Sequence, residues 1–154
     1  MALDATATEA NITDSIKKYF LDNVRTIEGK TVIFDIYDPN ADITNNTSLK
    51  EWIFIKFGRL RRETLTKYDF NIYLFTRNDL EKYNLSRLSD TVFKYLSDTT
   101  KTDTLVRIPI YDNLTSVVGY MVIIDVDESE QGEAYEENIN MKILSCTGLF
   151  GAKA

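Results

Sequence analysis

The sequence predicts an α+β domain, in which a mixed, mainly antiparallel sheet with a long β-hairpin is flanked by two helices. In residues 68–75 every even position is apolar and the odd positions are mixed, which is typical of a strand with one buried face. Two other stretches repeat apolar residues at three-to-four spacing, as amphipathic helices do. Because these helices do not alternate regularly with the strands, an antiparallel or mixed sheet is favoured over a parallel one.

The chain of 154 residues is long enough for one domain with a full core, and it shows no internal repeat or linker. We therefore predict a single domain over residues 1–154, with residues 1–11 as a disordered N-terminal tail. The first helix is predicted over residues 14–28, ended by Gly29. Its apolar face consists of Ile16, Tyr19, Phe20, Val24 and Ile27. A short strand over residues 31–37 and a loop over residues 38–48 follow.

The hairpin is predicted from two apolar stretches on either side of a basic segment. Residues 52–57 (WIFIKF) are apolar on both faces over most of their length, as expected for a strand covered on both sides. Residues 68–75 form its partner, and the segment between them (GRLRRETLTK) contains no two-residue turn signal. We expect two long strands that continue past the core as a projecting basic ribbon.

The second half of the chain begins with a helix over residues 79–98, followed by three strands. The apolar stripe of this helix consists of Leu85, Leu88, Val92, Tyr95 and Leu96. A strand over residues 105–111 contains Pro109, which places it at a sheet edge or a break. A strand over residues 117–126, an acidic loop over residues 127–133 and a last strand over residues 134–146 complete the sheet. Residues 148–154 are expected to form a short tail.

The residue types present argue against an enzyme. The chain has no histidine, so imidazole bases, imidazole ligands and imidazole triads are excluded. Cys146 has no histidine partner and lies in a strand-like segment, which predicts a buried structural thiol. No glycine-rich phosphate motif occurs, and nothing in the spacing of Asp35, Asp125 and Lys142 selects them as a metal-dependent nuclease set. We predict no catalytic residue, no metal and no cofactor.

One acidic segment leaves an alternative open. In residues 125–136 (DVDESEQGEAYE) oxygen-bearing side chains fall at positions 1, 3, 5, 7, 9 and 12 of a Ca²⁺-loop spacing: Asp125, Asp127, Ser129, Gln131, Glu133 and Glu136. However, Glu130 occupies the position where the sharp turn requires glycine, and the flanking elements are predicted strands. A solvated acidic loop is therefore favoured over a Ca²⁺-binding module.

The net charge of −6 is divided between two clusters. Seven carboxylates occur with no lysine or arginine among them, and without them the chain would carry +1: Asp125, Asp127, Glu128, Glu130, Glu133, Glu136 and Glu137. Five basic residues are opposed only by Glu63: Lys56, Arg59, Arg61, Arg62 and Lys67. We interpret the clusters as opposite poles that let copies associate head to tail, and a closing rotation would give a ring. Because the negative overall charge would repel a duplex, this is favoured over DNA binding.

The pattern resembles the tail terminator proteins of long-tailed bacteriophages, also called tail completion or tail-to-head joining proteins. The resemblance is in the helix over residues 16–27, in residues 68–77 (YDFNIYLFTR), in residues 85–96 (LSRLSDTVFKYL) and in the order of the elements. It covers residues 12–148 and is one of pattern and size rather than of a diagnostic motif.

The resemblance implies a structural virion protein of the tail or neck, assembled in the bacterial host cytoplasm. Such a protein forms a homo-hexameric ring that caps the tail tube, stops its polymerisation and joins it to head-side connector or neck proteins. Basic residues would contact a neighbouring subunit or line the DNA channel, with non-specific contact to genomic DNA: Lys56, Arg59, Arg61, Arg62 and Lys67. Acidic residues would meet a partner ring: Asp127, Glu128, Glu130, Glu133, Glu136 and Glu137. A monomeric adaptor that binds one partner through its aromatic-rich sheet is the other alternative. No membrane association is expected, since no apolar run approaches the roughly 18 residues of a span.

Overall fold

The fold was obtained as a computed structural model. It describes residues 8–34, 50–62, 66–77, 83–98, 100, 105–129, 132–133 and 139–152, with only the backbone described at residues 62, 132, 133, 151 and 152. The elements in chain order are α1 (Glu9–Phe20), a π-helix (Leu21–Ile27), β1 (Val32–Phe34), β2 (Glu51–Arg62), β3 (Thr66–Arg77), α2 (Tyr83–Phe93), β4 (Arg107–Asp112), β5 (Ser116–Glu128), β6 (Gly132–Glu133) and β7 (Ile139–Ala152).

The strands form one mixed sheet in the order β1-β2-β3-β7-β5-β4, and the short β6 pairs with β7 beside this path. β1 and β2 are parallel, and every other pair is antiparallel. The sheet curls into a half-barrel. The predicted fold class, a mainly antiparallel mixed sheet with a long hairpin and two helices, is confirmed.

The hairpin of β2 and β3 has two strands of 12 residues each, but it does not project from the sheet. Every residue of β3, from Thr66 to Arg77, pairs with a residue of β7. The expectation of a free ribbon is wrong because β7 is longer than predicted and reaches the basic end of the hairpin. A register shift between Phe57 and Leu60 places Gly58 at a bulge in β2.

The last strand extends through most of the segment predicted as a tail. β7 continues to Ala152, where it pairs with Gly119 of β5. Gly148 lies so close to the adjacent strand that a Cβ on it would overlap Met121 Sδ. The glycine and the buried Phe150 thus belong to the core rather than to a tail.

The first helix begins at Glu9, five residues earlier than predicted, so residues 9–11 do not belong to a disordered tail. Thr8 is the N-cap, and its hydroxyl accepts a hydrogen bond from Asn11 N at 3.2 Å. Burial of Ile12, which has no exposed surface, adds an apolar anchor in this first turn. Residues 1–7 lie outside the described part of the chain.

After Phe20 the helix widens into a π-helix, which rotates its last residues away from the core. Val24 remains buried, whereas Ile27 is 68% exposed although it was predicted on the apolar face. The helical spacing fails here because an i→i+5 turn places residue 27 at a different angle. Gly29, with φ of 69°, ends the segment as predicted.

Both helices pack on one face of the sheet, which we call the helix face. The core there combines α1 and α2 with alternate residues of the central strands: Ile12, Ile16, Phe20, Val24, Leu85, Leu88, Val92, Leu96, Tyr68, Phe70, Ile72, Leu74, Leu144 and Cys146. The Phe20 ring meets the edge of Phe70 at 6.0 Å between centroids. The apolar parity predicted for β3 is confirmed, and so is the apolar stripe of the second helix at Leu85, Leu88 and Val92. This helix was predicted to reach residue 98 but ends at Phe93, so the buried Leu96 and the half-buried Tyr95 lie in the turn that follows it.

The free edge of β4 is covered by α1. Ser15 Oγ accepts a hydrogen bond from Tyr111 N at 2.8 Å, and Asn11 Oδ1 accepts one from Asn113 N at 3.3 Å. Asn11 Nδ2 also donates to Asp112 Oδ1 at 3.2 Å. Side chains of α1 therefore occupy the place of a further strand, which protects an edge that could otherwise pair with another chain. Pro109 lies in this edge strand, as predicted.

Candidate functional site

The second face of the sheet, opposite the helices, divides into an apolar part and a charged part. In the apolar part Trp52 and Phe75 are buried and stack at 5.3 Å between centroids, with the Arg77 guanidinium 5.2 Å from the Trp52 ring. Further along the same strands the side chains become polar. We call this region the charged face and define it by residues of four adjacent strands: Lys56, Arg61, Lys67, Asp69, Asn71, Ser145, Thr147, Asp125 and Asp127.

The strand register fixes which residues share a row on the charged face. Lys56 pairs with Asn71, Asn71 with Ser145, and Ser145 with Asp127. In the next row Asp69 pairs with Thr147, and Thr147 with Asp125. Since directly paired residues point to the same side of a sheet, each row crosses from β2 or β3 to β5 on this one face.

The centre of the charged face is held by one carboxylate. Asp69 Oδ1 accepts hydrogen bonds from Thr147 Oγ1 at 3.0 Å and from Arg61 Nη2 at 3.1 Å. The ion pair is partly exposed, with about a third of each side chain accessible, so it contributes little to stability. It does fix the direction of the Arg61 side chain. The Arg61 Nε is buried and makes no hydrogen bond to the residues that the structure describes.

The predicted basic residues form a stripe along β2 and the start of β3. Lys56 and Arg59 are exposed, and Lys67 is half-buried. Arg61 pairs with Lys67 in the strand register. Arg62 pairs with Thr66, and its side chain lies outside the described residues. Lys56, Arg61 and Lys67 thus lie together on one face, as the clustering in sequence indicated.

The predicted acidic residues are partly divided between the two faces. Asp125 and Asp127 are exposed on the charged face. Glu128 is on the helix face, where its carboxylate accepts a hydrogen bond from Lys142 Nζ at 3.0 Å. Glu133 is described by its backbone alone, in β6, and Glu130, Glu136 and Glu137 lie outside the described residues.

The two charge clusters are not at opposite poles, in so far as their residues are described. Lys56 and Asp127 lie on the same face, three strand spacings apart, or about 14 Å along the sheet. This distance exceeds the combined reach of a lysine and an aspartate side chain, so the two cannot pair within one chain. The interpretation of the clusters as opposite poles is thus wrong for the described residues, because sequence order does not reveal which strands become neighbours. Association of copies into a ring stays a prediction.

The Ca²⁺-loop spacing does not correspond to a loop in its first third. Residues 125–128 are extended in β5 and pair with β7, so Asp125 and Asp127 point away from the sheet side by side instead of wrapping round an ion. Within the described ranges, no three carboxylate or thiol side chains come together as a metal site would require. Gln131 and Glu136 are not among the described residues.

The remaining candidate groups do not converge. Asp125 is on the charged face and Lys142 is on the helix face, while Asp35 lies outside the described residues. Cys146 is buried, and its Sγ donates to Leu144 O at 3.8 Å. Burial raises the pKa of the Cys146 thiol to about 12, which keeps it protonated and unreactive near neutral pH. The prediction of a structural thiol is confirmed.

Sequence reasoning identified the charged ends of this surface but missed its middle. Asp69, Asn71, Ser145 and Thr147 are ordinary polar residues in sequence and carry no motif. Their parity in β3 and β7 was the available signal, since they alternate with buried residues.

Of the helices described, none is long and apolar enough to span a membrane.

Comparison with known proteins identifies the fold alone. No protein-family model matches the chain, and no curated protein matches it. One solved structure whose name describes no activity resembles it with a TM-score of 0.65 at 4% identity. The alignment covers 96% of this chain and 99% of that one, so the similarity extends over the whole fold.

Proposed function

We propose that this protein is a structural component of a phage virion, a tail terminator that forms a homo-hexameric ring on the end of the tail tube. The observation that carries the proposal is the element order, a helix, a short strand, a long hairpin, a second helix and closing strands in one mixed sheet. This order is what the sequence shares with tail terminators. In this role the ring stops tube polymerisation and joins the tail to the head-side connector, and the protein catalyses no reaction.

The distribution of charge supports a role in assembly rather than in small-molecule chemistry. The charged face presents the exposed Lys56 together with the exposed Asp125 and Asp127 on a four-stranded surface. Polar groups at such a surface guide association and fix its register more than they add affinity. We assign Lys56, Arg59, Arg61, Arg62 and Lys67 to contacts with a neighbouring subunit, or with DNA in the channel. We assign Asp127 and the acidic residues that follow it to contacts with a partner ring.

Native mass spectrometry of the protein alone and with tail tubes of the same phage tests this proposal. The expected result is a sixfold mass, either alone or on addition of tubes, and tubes that no longer elongate. The variant Lys56→Asp/Arg59→Asp should weaken this binding, because it reverses two exposed charges of the basic stripe. Arg25→Asp/Lys18→Asp provides a control with the same change in net charge on the helical segment.

Two outcomes would contradict the proposal. A protein that remains monomeric with tubes at every salt concentration is not a terminator, and the adaptor alternative would then account for its aromatic-rich sheet. A protein whose melting temperature rises in millimolar Ca²⁺, with the rise abolished by Asp125→Ala/Asp127→Ala, would instead support the metal-binding alternative.

A further inference from the structure

The charged face carries opposite charges on its two sides, an arrangement that is complementary to a second copy of itself. Its basic stripe runs along β2 and its acidic stripe along β5, with β3 and β7 between them. A twofold axis parallel to the strands, between β3 and β7, turns one copy over onto another. That operation places the basic stripe of each copy on the acidic stripe of the other.

We propose that the charged face binds a second copy of this chain through an isologous, twofold contact. In this arrangement Lys56 of each copy faces Asp127 of the other, because both residues belong to the same row. The residues between them are also complementary hydrogen-bonding groups, since Asn71 meets Ser145 and Asp69 meets Thr147. Two sheets packed face to face in near alignment, about 10 Å apart, form a common arrangement.

The internal contacts of the chain favour an intermolecular partner for these charges. Lys56 and Asp127 are exposed, and neither forms an ion pair with another residue in the ranges that the structure describes. Glu128 and Asp69, by contrast, are already neutralised by Lys142 and Arg61. The twofold operation therefore brings together an exposed acid and an exposed base that lack an ion pair within the described part of one chain.

The area of the charged face determines how stable the twofold dimer is expected to be. Four strands by three rows cover about 19 by 20 Å, or roughly 400 Å² for each copy. The total of about 800 Å² is below the size of stable interfaces and is typical of weak, transient contacts. We therefore expect a reversible dimer that is populated at high protein concentration and low ionic strength.

This inference does not require the proposed ring, although it assigns Lys56 and Asp127, which the proposed ring also uses, to a twofold contact. A ring of six that also uses the charged face in this way would pair with a second ring and give a twelvefold mass. If the proposed function fails and this inference holds, a dimer remains and does not respond to tubes. If this inference fails and the ring exists, the mass stops at six.

Sedimentation equilibrium of two complementary charge variants tests the contact. Lys56→Asp carries aspartate at both positions, and Asp127→Lys carries lysine at both, so each variant repels itself in the twofold arrangement. We expect each to raise the dimer dissociation constant about tenfold, because two exposed ion pairs become two repulsive pairs. An equimolar mixture of the two should dimerise again, because every contact in the mixed dimer joins opposite charges.

Two charge variants at helical positions away from the charged face serve as controls in the same experiment. Arg25→Asp and Asp90→Lys change the net charge equally at exposed helical positions and should dimerise like the unchanged protein. The wild-type dimer should dissociate at about 0.5 M salt, where screening shortens the range of charge interactions to a few ångströms. A wild-type protein that is monomeric at low ionic strength would overturn the proposal. Single variants that dimerise normally, or a mixture that does not recover, would also overturn it.

Discussion

The two faces of the sheet use the same strands for different purposes. In β3 the even-numbered residues are buried against the helices, while Lys67, Asp69 and Asn71 are partly exposed between them. The core on the helix face is continuous, whereas the charged face has one internal ion pair and several exposed charges. Stability and association are therefore separable here, because a strand period of two places neighbouring residues on opposite faces, one in the core and the other on the charged face.

The largest expected effect comes from Phe70 on the helix face. Phe70→Ala removes a ring that is 1% exposed and packs against Phe20, so we expect a loss of about 3–5 kcal/mol in the free energy of unfolding. Urea denaturation measures it. Asn71→Ala, the adjacent residue on the charged face, should change stability by no more than about 0.5 kcal/mol. Equal losses at the two positions would contradict the division between the faces.

A smaller effect is expected from overpacking at Gly148. Gly148→Ala places a Cβ against the buried Met121 side chain, and we expect a loss of about 1–3 kcal/mol. The double variant Gly148→Ala/Met121→Val should recover part of this loss, because the shorter side chain leaves room for the methyl group. A double-mutant cycle in chemical denaturation measures the coupling. Strict additivity of the two changes would show that the close approach does not occur.

A further decrease is expected where α1 covers the sheet edge. Ser15→Ala removes the oxygen that accepts Tyr111 N–H, leaving a β4 amide without that partner, at a cost of about 1–2 kcal/mol. Amide hydrogen exchange at Tyr111 should also accelerate in this variant. Ser145→Ala makes the same chemical change at an exposed position of the charged face and should leave stability within about 0.5 kcal/mol. An unchanged exchange rate of the Tyr111 amide would argue against the hydrogen bond by which α1 covers the edge of β4.

The smallest effect on stability is expected from the charge variants. Lys56→Asp and Asp127→Lys alter exposed side chains that form no ion pair among the described residues. The free energy of unfolding of the monomer, measured by thermal denaturation, should therefore change by about 0.5 kcal/mol or less. Circular dichroism at low protein concentration measures it. A loss as large as that of Ser15→Ala would mean that the charged face contributes to the fold itself.

Much of the fold could be predicted from local patterns, and the failures have identifiable causes. Parity identified the buried residues of β3, and Pro109 identified an edge strand, because both signals depend on neighbouring residues alone. The exposure of Ile27 could not be predicted, since a π-helix changes the angle between successive residues without a sequence mark. A final strand was predicted over residues 134–146, but its continuation to Ala152 was missed because Gly148 resembles a chain break and instead makes a close contact with Met121.

The candidate site was predicted in composition but not in arrangement. The sequence indicated a basic and an acidic cluster, and Lys56 and Asp127 belong to them. Their common face depends on the pairing of β3 with β7 and of β7 with β5, which brings Lys56 and Asp127 into one row although they are far apart in sequence. Bulges near Gly58 and Ile124 also shift the parity of β2 and β5. No local pattern in the sequence carries that information.

Site-directed labelling of the charged face tests the separation of stability from association most directly. A bulky maleimide group attached to Ser145→Cys should abolish association and leave unfolding unchanged, while the same group on Asp90→Cys should alter neither. Native Cys146 should not react, because burial raises the pKa of its thiol to about 12. If the protein labelled at position 145 associates as well as the control, the charged face is not the surface through which copies meet.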